Sequence, residues 1–272
     1  MASPEVDDYA TYIQEAETVL DLGEIGYGGR RAMWTFKKTL EATPLASYYK
    51  FWKDASRGFA AGFPAWQDID AATIVGDDFP VCSPDVASWC PTGTLAGYWA
   101  PDICEASPTS CVEFLMSTPE VDTGYFEQLT SNLGLQVIHG YYTTSKLSAL
   151  VQERYANNLA TVFWWWQPSP LISLVDAERI SYPDFSYGCN AADNQNADTG
   201  ALQCDYPETR MRKLGSSRLL DVAPHGYYFL TLFKITLAQM NDMLSYHVDG
   251  GGSLNTQDAA CKHLKGEWTA YK

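Results

Sequence analysis

Apolar and polar positions in this chain switch between two periods. Leu147, Leu150, Val151 and Tyr155 recur at steps of three and four, which predicts an amphipathic helix over 144–157. Immediately after it, 159–166 is a nearly unbroken apolar run, stopped by Gln167-Pro-Ser-Pro170, and reads as a buried strand. Residues 135–138 and 179–182 read as further strands and 121–133 as a helix. Near the start, 5–18 reads as a polar-faced helix and 19–22 as a short strand. The glycines of 23–29 then read as a turn, with an anion cradle ahead of Arg30 and Arg31 as the alternative. Aromatic residues at helical spacing mark 46–54. From 58 to 117 Gly, Pro, Ser and Cys dominate and no period persists, so that stretch reads as loops. The last 50 residues read as mostly helical. Pro224 opens one helix, Thr236 and Gln239 have capping-box spacing for the next, and glycines after Asp249 end it. Residues 256–270 form the last helix, with Cys261, Leu264 and Trp268 on one face. Strands alternating with helices imply an α/β fold.

Composition narrows the function classes. A chain of 272 residues suits one large domain or two lobes, and 46% hydrophobic with 19% charged residues is enough to build a core. The net charge of −15 argues against nucleic acid and against anionic membrane surfaces, both of which need clustered Lys and Arg. The longest apolar run is too short to span a bilayer, so direct membrane insertion is not expected. The opening residues lack the basic and apolar regions of a secretory signal.

Seven cysteines change the picture. Six fall in three local couples, Cys82 with Cys90, Cys104 with Cys111 and Cys189 with Cys204, each in a turn-rich stretch. Zinc sites want tighter Cys-x-x-Cys spacing, so no metal is expected. Loop-closing disulfides in an oxidising compartment are the better reading, with free buried thiols the alternative. Cys261 is left over, either a core thiol or the partner of a cysteine elsewhere.

No Gly-x-Ser-x-Gly elbow, His-Glu-x-x-His, Walker loop or Gly-x-Gly-x-x-Gly is present, and the four histidines are scattered. The chain reads as no enzyme and needs no cofactor. Its unusual feature is aromatic: 9 Trp, 17 Tyr and 11 Phe. Trp164, Trp165 and Trp166 end a strand just before a Pro-rich turn. Side chains alternate along a strand, so Trp164 and Trp166 share one face and Trp165 takes the other. At a strand end such indoles either pack a core or present faces to a cation.

The run Thr161-Val-Phe-Trp-Trp-Trp-Gln-Pro168 after the 144–157 helix resembles the substrate-binding proteins of glycine betaine/choline/proline-betaine ABC transporters. Similar in order are Arg179-Ile-Ser-Tyr-Pro183, the loop at 196–199, the Ala223-Pro start, the segments at 229–234 and 235–244, and a final helix ending in Trp268. Leu22-Gly-Glu-Ile-Gly-Tyr27 resembles the first crossover between lobes. The resemblance implies a type II periplasmic-binding-protein-like α/β fold with a ligand cleft between two lobes. Residues 1–29 with 166–272 would form lobe one, lacking its first strand–helix–strand unit, and 30–165 lobe two. It implies an extracellular or periplasmic domain that binds a betaine-like quaternary ammonium zwitterion. A membrane permease or a sensor's transducing domain would be its partner. Carried over by position, Trp166 is the leading ligand-binding residue, followed by Trp165, Trp99 and Tyr27. The rival is a secreted structural or interaction protein that keeps the fold without binding.

Overall fold

The computed structural model describes residues 13, 17–66, 80–91, 97–121, 123–191, 196, 199–249 and 256–270. The chain falls into two compact units, Arg30–Pro207 and a smaller one made of Met1–Gly29 with Glu208–Lys272.

The larger unit is built on a mixed sheet. Its strands are the 30–36 part of β1 (Val19–Phe36), β2 (Tyr98–Trp99), β3 (Val112–Met116), β4 (Val137–Tyr141), β5 (Val162–Gln167) and β6 (Ala177–Arg179), in the order β2-β4-β3-β5-β1-β6. The central β4, β3 and β5 run parallel, and β2, β1 and β6 are antiparallel to their neighbours. Parallel neighbours need crossovers, which the helices Tyr125–Asn132 and Thr144–Ala156 supply. The fold is α/β, as the alternation of periods predicts.

Period two sorts the core. Val162 and Trp164 of β5 join Met33 of β1 in one apolar cluster, with Trp52, Phe114, Phe126 and Tyr182. Phe163 and Trp165 join Ala32, Trp34 and Phe36 in a second cluster, on which the helix Thr144–Ala156 lays Leu147 and Val151. The Thr143 side chain caps that helix by accepting from the Lys146 N–H at 3.4 Å. Each fully buried aliphatic side chain contributes about 1.5–3 kcal/mol.

Two elements of the larger unit differ from expectation. The 46–54 helix is two 3-10 stretches, Pro44–Ser47 and Tyr49–Lys53, separated by an extended Tyr48. Strand β3 lies inside the stretch read as loops. All five of its residues are buried, so it has no alternation to betray it. Residues 166–207 belong to the larger unit: Trp166 pairs with Arg31, and β6 with β1.

In the smaller unit the 19–29 part of β1 pairs antiparallel with β7 (Thr209–Ser216), a strand the sequence reading missed. The 23–29 stretch is therefore strand, not turn. Its glycines serve register shifts and close approaches. Gly26 has φ +111°, and a Cβ there would stand 2.7 Å from the Ile235 carbonyl oxygen. The Ile235 N–H donates to the Ile25 carbonyl at 2.8 Å. Thr236 and Gln239 form the expected capping box: the Gln239 N–H donates to Thr236 Oγ1 (3.2 Å) and the Thr236 N–H to Gln239 Oε1 (2.9 Å). The last helix, Thr256–Ala270, buries Ala259 and His263, while Cys261 and Leu264 are exposed. Its inward face is thus rotated from the predicted one, and Cys261 is a free surface thiol, not a core thiol. The helix expected at 5–18 lies almost wholly outside the described residues.

Candidate functional site

The three tryptophans at the end of β5 have three different environments. Trp164 is buried in the first cluster, and its Nε1–H has no hydrogen-bond partner. Trp165 is buried in the second and is locked: its Nε1–H donates to Ser169 Oγ (2.7 Å), and its carbonyl accepts from Trp34 Nε1–H (3.0 Å). Ser169 Oγ also accepts from the Leu171 N–H, capping the short helix Pro170–Leu174. Trp166 is 41% exposed. Its ring stacks on Trp165, centroids 4.3 Å apart and planes 13° off parallel, and meets Trp164 edge-on at 5.8 Å. An indole is thus presented at the strand end on a rigid aromatic support.

Opposite Trp166 in the β1–β5 register is Arg31. Residues directly opposed across antiparallel strands share a face, with Cβ atoms about 4.5–5.5 Å apart. The Arg31 guanidinium lies over the Tyr206 ring, 5.8 Å from its centroid, and its Nη1 reaches Tyr206 Oη and the Val121 carbonyl only at 3.5 Å. Tyr206 packs on Tyr125 (4.1 Å) and Phe126 (5.8 Å). The Tyr125 hydroxyl faces the carbonyls of Cys204 (3.1 Å) and Asp205 (2.8 Å), tying the chain before Tyr206 to the helix Tyr125–Asn132. Asp205 is buried beside them. It pairs with Arg179 and accepts the Tyr206 N–H at 2.8 Å. Burial pushes its carboxyl above the usual range, against the pull of Arg179, the Tyr206 amide and Arg30. The neighbouring Tyr182 hydroxyl is buried without a hydrogen-bond partner, and burial raises it well above an ordinary phenol.

A disulfide fixes this loop. Cys189 and Cys204 are joined with Cα atoms 6.2 Å apart, and Cys82–Cys90 and Cys104–Cys111 are joined as their spacing predicts. Asn132 Nδ2 adds hydrogen bonds to the carbonyls of Gly200 (2.8 Å) and Leu202 (2.9 Å).

The structure brings Trp165 and Trp166 together but not Trp99. That residue is 2% exposed on β2, edge-on to His139 at 5.7 Å. Three strand spacings separate β2 from β5, about 14 Å. Beneath Trp99 is a buried polar cluster that sequence reasoning missed. Glu127 Oε1 accepts from the Tyr141 hydroxyl (3.0 Å) and lies 3.2 Å from His139 Nδ1, while His139 Nε2 lies 3.1 Å from Thr130 Oγ1. These contacts hold the helix Tyr125–Asn132 to β4, a structural role for His139. Tyr27 lies on β1 in the smaller unit, where burial raises its hydroxyl above the ordinary value. Asp205 and Tyr206 carried no motif, and Arg31 only its place after the glycines read alternatively as an anion cradle. Only the register of β1 against β5 and the fold of the disulfide loop bring them together.

Among the described residues no three His, Cys, Asp or Glu side chains are grouped to hold a metal, and no helix is long and apolar enough to cross a membrane. Residues 123–266, just over half of the chain, match the family model for the substrate binding domain of the ABC-type glycine betaine transport system, and the chain belongs to that family. Similar solved structures include a lactococcal OpuAC in its closed-liganded conformation with glycine betaine, with TM-score 0.42 and 11% identity over 96% of this chain and 72% of that one. Another is an ABC-transporter choline binding protein in complex with choline, with TM-score 0.43 and 14% identity over 98% and 69%. A third is the glycine/betaine/L-proline-binding protein ProX from Borrelia burgdorferi, with TM-score 0.44 and 11% identity over 97% and 72%. No curated protein matches the chain in sequence.

Proposed function

We propose that this chain is an extracellular or periplasmic solute-binding domain for a small quaternary ammonium zwitterion of the glycine betaine kind. It would deliver that ligand to a membrane permease or to a sensor's transducing domain, without catalysing a reaction. Family membership supports the class. The observation that carries the ligand reading is Trp166, exposed on one side and stacked on Trp165 on the other. An indole face attracts a cation within about 6 Å of its centroid, and a methylated ammonium loses little hydration in reaching it. Three disulfides fit an oxidising compartment. The test is thermal unfolding of the whole chain with glycine betaine, proline betaine, choline and glycine. A ligand at 100 times its Kd adds about 2.7 kcal/mol, so the midpoint rises by several degrees with a betaine and not with glycine. No rise with any of them would favour the interaction-protein reading.

A further inference from the structure

We infer that Arg31 is the specificity-determining residue of this site, the group that takes the ligand's carboxylate and makes the site prefer a carboxylated ammonium over an alcohol such as choline. The inference rests on the functional reading above and goes beyond it. It starts from how this chain uses its cations. In the larger unit Arg154 pairs with Glu113, Arg179 with Asp205, Arg57 with Asp54 and Lys37 with Asp176. Arg31 has no carboxylate partner among the described residues. Its contacts are two at 3.5 Å, the outer limit for a hydrogen bond, and the face of Tyr206. A guanidinium carries five donors in a planar fork that fits a carboxylate edge-on, and here most of them are unspent. Other cations without a carboxylate are spent on oxygens, Lys38 on the Tyr155 carbonyl and Asn158 Oδ1 and Lys213 on the Phe233 carbonyl, whereas half-buried Arg31 has no such close contact.

Placement gives the exception a meaning. Arg31 is the register partner of Trp166, so the two side chains leave opposed positions on one face of β1 and β5, with Cβ atoms about 4.5–5.5 Å apart. Tyr206 already faces a cation, the arginine itself, which leaves Trp166 as the face for the ligand's ammonium. A bare cation on Trp166 would be repelled by Arg31. A zwitterion whose ammonium lies on Trp166 and whose carboxylate turns to Arg31 answers both groups at once. The loop that carries Tyr206 is clamped by Cys189–Cys204 and by Tyr125, so the guanidinium is aimed before the ligand arrives.

The test is calorimetric titration of glycine betaine and of choline into the wild type, Arg31→Gln and Arg31→Lys. The wild type should bind glycine betaine at least tenfold more tightly than choline. In Arg31→Gln that ratio should fall by at least tenfold, and Arg31→Lys should keep part of it because the charge remains. Choline bound as tightly as betaine by the wild type would overturn the inference without any variant. So would an unchanged ratio in Arg31→Gln. Either outcome leaves the binding function standing, whereas no heat from either ligand in the wild type would overturn function and inference together.

Discussion

Replacing both Cys189 and Cys204 by Ser tests how the site's loop is held. The bridge closes a 15-residue separation, and the chain-entropy relation then gives about 3 kcal/mol of stabilisation at 25 °C. The same relation gives about 2.5 kcal/mol for Cys82–Cys90 and about 2.3 kcal/mol for Cys104–Cys111, with separations of 8 and 7. The native loop has other ties, through Asn132 to Gly200 and Leu202 and through Tyr125 to Cys204 and Asp205. These should keep the folded form near its present geometry, so the loss appears as freedom gained by the unfolded chain. For a unit of this size about 1 kcal/mol corresponds to about 2–4 °C, so the midpoint should drop by about 6–12 °C. Scanning calorimetry of wild type and double variant measures it. Betaine affinity should fall as well, because Tyr206 orients Arg31 and follows the bridge by two residues. A midpoint within 2 °C of wild type would refute the reasoning that this bridge holds the loop.

Two further outcomes follow from packing and charge. Gly140→Ala on β4 would put a Cβ 2.4 Å from Trp66 Cζ3, a buried ring end, and should cost about 1–3 kcal/mol, read as a lower urea midpoint; an unchanged midpoint would contradict that packing. Asp205 has its carboxyl raised in the fold above the ordinary 3.8, so the stability linked to it is complete below that value and is lost as pH rises through the folded one. Unfolding free energy of the wild type should therefore decline relative to Asp205→Asn between about pH 4 and neutrality, and a difference that grows with pH would reverse the sign of the argument.

What the sequence disclosed follows from where periodicity survives. The helix Thr144–Ala156 and strand β5 stand out because one has an apolar stripe and the other an uninterrupted apolar run before Pro168. Strand β3 is as central, yet with both faces buried and cysteine-rich loops around it, it shows no period. The glycines of 23–29 imitate a turn, because the residue that permits reversal also permits a bulge and the close approach of Ile235. At the site, the tryptophans announce themselves by composition. Arg31 shows only as a cation after a glycine stretch, since the absence of a carboxylate partner among the described residues and its register with Trp166 are not written locally. Glu127 and His139 are 12 residues apart and meet only because helix and strand pack.

The measurement that bears most directly on the account is titration of glycine betaine into the wild type and Trp166→Ala. Trp166 is 41% exposed and donates no hydrogen bond to the core, so its truncation should leave the fold intact. An indole–ammonium contact is worth about 1–2 kcal/mol when partly desolvated, which corresponds to an affinity about 5- to 30-fold lower in the variant. A loss in that range, with an unfolding midpoint near wild type, is the predicted result. Equal affinity in the two proteins would contradict the claim that Trp166 is the face on which the ligand's ammonium rests.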